Sequence, residues 1–139
     1  NRGLHGIEPK LENGKWSVKA YWSHRKVALN MSSAVLNDGH LYGLSHLKRG
    51  RLFCADAHTG EVLWEGPERA GENATFLAFP GHVMVLASHG ELQVIAAKVE
   101  GHQKVASWKV SDKPAWAAPV LLKKGVLIKD QEHLTYWSF

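Results

Sequence analysis

Apolar stretches of four to six residues recur along this chain, separated by clusters of Gly, Asp, Asn and Lys. Stretches of that length, rich in Val, Leu and aromatic residues and lacking a 3.6-residue period over three turns, predict β-strands. Residues 32–36, 40–44, 51–55 and 61–65 form one set of four, and 75–79, 82–87, 91–96 and 105–110 a second. Residues 118–122, 126–129 and 133–137 form a set of three, and residues 15–22 add one strand at the start, for twelve in all. Asn37-Asp38-Gly39 predicts a tight hairpin, because Gly39 takes positive φ without a Cβ clash. The stretch His82-Val83-Met84-Val85-Leu86-Ala87 does not alternate, which is the pattern of a strand covered on both faces.

The sets repeat. Trp22, Trp64 and Trp108 stand 42 and 44 residues apart, and Gly39, Gly81 and Gly125, each ahead of an apolar strand, keep the same two spacings. Leu52, Leu92 and Leu134 follow at 40 and 42. Four short strands per period cannot bury their own faces, so each unit must lean on a neighbour in a ring or stack. The expected fold class is therefore all-β: a β-propeller segment of about three four-stranded antiparallel blades. Residues 1–14 are expected to be an N-terminal extension or the end of a preceding blade, and 15–22 an outer strand. Residues 32–65 and 74–110 are two blades, and 115–139 a partial one. The last set is one strand short and 15–22 has no partner. Residues 15–22 could close the last blade within one chain only as an unusually tight three-blade ring; the completions expected instead are a homodimer that exchanges these ends into a six-blade ring, or further blades of a longer propeller.

Composition narrows the function classes. A length of 139 residues fits one domain, and 45% hydrophobic with 22% charged residues excludes a disordered tail. No apolar run approaches the roughly 18 residues of a membrane span. The net charge of +4 is spread along the chain, with local clusters only at Lys48-Arg49-Gly50-Arg51 and Lys123-Lys124, so no nucleic-acid partner is expected. The single cysteine, Cys54, excludes an internal disulfide and a four-cysteine zinc site, and its apolar strand predicts a buried, inert thiol. His40 and His82 hold the same place in successive repeats without a partner at ligand spacing, which makes them polar residues at strand edges. Asp56, Asp112 and Asp130 read as turn or loop-end residues. No catalytic, cofactor-binding or metal-ligating residue is expected. Trp16, Tyr21, Trp22, Trp116, Tyr136 and Trp137 crowd the two ends of the chain, and aromatic surface left over from blade contacts marks an interface with a protein partner.

One segment carries a resemblance. Cys54-Ala55-Asp56-Ala57-His58-Thr59-Gly60-Glu61-Val62-Leu63-Trp64 resembles the docking motif of the PQQ-like (quinoprotein-type) β-propeller repeat, with Leu52-Phe53 as the preceding Leu-aromatic pair. Cys54 takes its small position, Asp56 the Asp, Thr59-Gly60 the Thr-Gly and Trp64 the Trp; Trp22 and Trp108 are the matching indoles of the neighbouring repeats. Physical chemistry agrees: Asp56 can accept backbone N–H bonds across the turn, Gly60 can supply a left-handed residue, and Trp64 can offer a wide ring to the next blade. The resemblance implies an extracytoplasmic, bacterial cell-envelope protein acting as a non-enzymatic scaffold. Its alternative is a fragment of a PQQ-dependent alcohol or sugar dehydrogenase. Pyrroloquinoline quinone and calcium then belong only to a complete parent propeller, and no cofactor is expected of this chain.

Overall fold

A computed structural model describes residues 3–138; Asn1, Arg2 and Phe139, at the ends of the expected spans 1–14 and 115–139, lie outside it. The described chain forms thirteen strands and one short 3-10 turn, Leu47–Arg49. A hairpin pairs β1 (Leu4–Glu12) with β2 (Lys15–His24). Two four-stranded sheets follow: β3 (Val35–Asn37), β4 (His40–Ser45), β5 (Arg51–Asp56) and β6 (Val62–Glu65), then β7 (Ala74–Phe79), β8 (His82–Ala87), β9 (Glu91–Ala96) and β10 (Lys104–Lys109). A three-stranded sheet, β11 (Val120–Leu122), β12 (Gly125–Lys129) and β13 (Leu134–Ser138), closes the series. Every sheet is an antiparallel meander in chain order. Adjacent four-stranded sheets come closest through their first strands, β3 and β7, and spread outward from there. This is the arc of an all-β propeller.

The strand count of twelve is corrected to thirteen, and the strand at 15–22 is not alone. It extends to His24 and pairs along its length with β1. The turn between them is Asn13-Gly14, both at positive φ (51° and 73°), the same device as Asp38-Gly39 at 48° and 74°. The hairpin also has a place in the repeat. A Cβ on Gly3, Gly50 or Gly90 would lie 1.8, 1.8 or 2.0 Å from the carbonyl oxygen of His24, Gly71 or Ser111. Each glycine precedes a strand, and each carbonyl ends or follows the next one. The equivalence makes β1, β5 and β9 third strands of their sheets, and β2, β6 and β10 fourth strands.

The core lies between sheets, with alternate residues facing opposite neighbours. Tyr42, Leu44, Leu52, Cys54 and Trp64 of the first four-stranded sheet meet Ala74, Phe76, Val83, Val85 and Ile95 of the second. On the second sheet's other face, Met84, Leu86, Leu92 and Val110 meet Ala115, Val126 and Ile128. On the first sheet's other face, Phe53 and Ala55 pack with Val27, Leu4 and Leu29. The non-alternating stretch in β8 is thus divided between two interfaces: Val83 and Val85 point one way, Met84 and Leu86 the other. Two four-stranded sheets covered on both faces account for the uninterrupted apolar runs.

Candidate functional site

The Asp56 turn is built from its own side chains. Asp56 Oδ1 accepts the backbone N–H groups of His58 (2.8 Å) and Thr59 (2.7 Å), and Thr59 Oγ1 accepts that of Glu61 (3.2 Å). Gly60, at φ +76°, closes the turn. The Thr59 N–H is the main reason the Asp56 carboxyl titrates below its ordinary value. Its carboxylate is therefore occupied by backbone, as a structural turn requires. Cys54 lies in the middle of β5 between Tyr42 and Trp64, fully buried, and burial pushes its thiol up. A thiol held protonated in an apolar interface is not a nucleophile.

The tryptophans form a docking row. Trp64 on β6 is buried, and its indole N–H donates to the Lys98 carbonyl in the β9–β10 connection at 2.8 Å. Trp22 on β2 repeats the arrangement one sheet earlier: its indole N–H donates to the Ala57 carbonyl in the β5–β6 turn at 3.2 Å. Its ring is clamped between two glycines, where a Cβ on Gly6 or Gly60 would come within 2.3 or 2.4 Å. In both cases a fourth strand gives an indole to the third-to-fourth connection of the next sheet. The acceptors are backbone groups, so no side-chain pattern reveals them.

Trp108 holds the equivalent place on β10 and behaves differently. Its ring is 49% exposed and its indole N–H has no acceptor among the described residues. It borders an open groove of 650 Å³ between β7–β10 and β11–β13, lined also by Phe79, Met84, Val94, Leu121 and Trp137. Of the seven motif residues, Cys54, Asp56, Thr59, Gly60, Trp64 and Trp22 come together at two sheet junctions, and Trp108 stands at a third that is open.

Several polar groups elsewhere are occupied by structure. Buried Ser45 accepts the Ala28 N–H at 3.1 Å, and the Asn37 amide donates to the carbonyls of Phe79 (3.1 Å) and His82 (2.9 Å), tying the first sheet to the second. Asp130 accepts from the Ser111 hydroxyl at 2.6 Å and from the N–H groups of Glu132 and His133, which lowers its pKa to about 2, the hydroxyl being the largest cause. Asp112 is exposed. His82 stacks on Phe79 with ring centroids 5.6 Å apart, and His40 begins β4 opposite Asp56. Among the described residues no group of three or more His, Cys, Asp or Glu side chains is placed to hold a metal ion. No helix among them is long and apolar enough to cross a membrane.

No protein-family profile and no curated protein matches this sequence. Solved structures do. The computationally designed Ika8 protein aligns over 96% of this chain with a TM-score of 0.60 and 14% identity. BamB from Moraxella catarrhalis aligns over 86% at 0.49 and 13%. This chain spans 42% of the first structure's length and 50% of the second's. At such identities the likeness concerns the fold, and the chain is similar to a part of each.

Proposed function

We propose that this chain is a non-enzymatic β-propeller scaffold for protein–protein interaction, working outside the cytoplasm as the PQQ-like resemblance implies. One observation carries the reading. Large apolar side chains fill the core between sheets, and the two end sheets leave many exposed, at Ile7, Leu11, Trp16, Val18, Val120, Leu134 and Tyr136 among others. Uncovered apolar surface of that extent marks a contact with protein. Asp56 and Asp130 are committed to turns, and Asp112 stands in solvent. The test is titration with pyrroloquinoline quinone and calcium, followed by absorbance, thermal stability and dye reduction with alcohols and sugars. Unchanged spectra and melting support the scaffold. A calcium-dependent shift in both, with dye reduction, replaces it by the dehydrogenase-fragment reading.

A further inference from the structure

The two uncovered faces have a specific composition. On the hairpin, cross-strand partners Ile7 and Ala20, Pro9 and Val18, and Leu11 and Trp16 place apolar side chains on one face. Glu8 with Lys19, Lys10 with Ser17, and Glu12 with Lys15 place charged ones on the other. Leu4 packs toward the first four-stranded sheet and Gly6 against Trp22, so the odd-numbered apolar row of β1 looks away from that sheet. Trp16 and Val18 are 72% and 63% exposed there. At the other end, Val126 and Ile128 face the second four-stranded sheet. The row Val120, Leu127 and Tyr136, with Leu134 beside it, then faces outward. Leu134 is 65% exposed.

We infer that these two faces are each other's partner across two copies of this chain: the hairpin face of one copy stacks on the β11–β13 face of the other, twice, about a two-fold axis. The inference rests on the scaffold reading and names its partner. Two features support a second copy. First, each internal junction of this chain is an apolar face laid on an apolar face, and the two open faces continue that stacking in the same direction around the arc. Second, the exposed apolar side chains on the two faces together amount to on the order of 800 Å² per chain, the size of one side of a standard stable interface. Sheets that converge through their first strands curve the stack, and a head-to-tail contact that closes after two copies leaves no open face. Face stacking replaces the exchange of a lone end strand, because β2 already pairs with β1.

Light scattering after size exclusion tests this on the 139-residue chain. The wild type is expected at twice the monomer mass. Trp16→Asp and Leu134→Asp, both on exposed positions, are each expected to run as folded monomers by circular dichroism. Mixed in equal amounts they should regain a dimer, since one intact hairpin face then meets one intact β11–β13 face. A wild type that stays monomeric up to roughly 100 µM, well above a micromolar Kd, overturns the inference. So does a Leu134→Asp variant that stays dimeric, or a mixture that does not pair. These failures leave the scaffold reading standing as long as quinone and calcium do not bind. Quinone- and calcium-dependent dye reduction overturns the scaffold whatever the mass.

Discussion

Strand β8, His-Val-Met-Val-Leu-Ala, and strand β13, Leu-Thr-Tyr-Trp-Ser, are both rich in large apolar side chains, yet β8 is buried at all but its first position and β13 is exposed at every one. The difference is not in the strands. β8 has a sheet on each face and a strand on each edge, whereas β13 has one open edge and one open face. The tryptophans repeat the lesson: Trp64 and Trp108 stand on equivalent strands, but only Trp64 has a connection to dock on. Burial in this fold is a property of the junction, and a sheet at the end of the series keeps the composition of an interior sheet without its neighbour.

Substitutions can sharpen that contrast. The largest effect is expected for Trp64→Ala, which opens a cavity in the junction and orphans the Lys98 carbonyl, at a cost of about 3–5 kcal/mol in urea unfolding. Trp108→Ala should cost under about 1 kcal/mol, because its ring is already half in solvent. Equal losses would erase the distinction between filled and open junctions. Gly60→Ala comes next, at about 2 kcal/mol or more, since a Cβ there would both meet the Trp22 ring at 2.4 Å and force an L-residue to φ +76°. Gly14→Ala has the same positive φ but nothing within 4 Å, so only the backbone cost of about 1 kcal/mol remains. Trp22→Phe keeps most of the clamped ring and loses the bond to Ala57, for about 1 kcal/mol.

The smallest effect is in acid. The folded Asp130 carboxyl titrates near 2 rather than at its ordinary 3.8, so its contribution is complete above 3.8 and is lost as pH falls through about 2. Its bond to Ser111 ties the end of β10 to the β12–β13 turn. Amide exchange between pH 4 and 2 should therefore loosen β11–β13 before the central sheets, and Asp130→Asn should flatten that dependence.

Much of this fold is readable in the residues. Strands 82–87 and 91–96 coincide with β8 and β9, and the other expected strands shift by three residues or fewer at their ends, because turn glycines and apolar runs punctuate them sharply. β1 escaped for a physical reason: Gly6, Pro9 and four charged or histidine side chains leave it no apolar run, although Ile7 to Glu12 alternate apolar with charged residues. The Asn13-Gly14 turn was the available signal. The Asp56 turn was legible because its chemistry is local. The docking acceptors, the Gly6–Trp22–Gly60 clamp and the Asn37 bridge were not, since each joins groups brought together only when sheets stack.

Fourth-strand indoles dock on the connection of the following sheet. Hydrogen exchange of the tryptophan indole N–H groups, resolved by NMR, tests it directly. Trp64 is expected to exchange only through opening of the sheet junction, orders of magnitude more slowly than Trp108. Exchange of Trp64 as fast as Trp108 would contradict the claim.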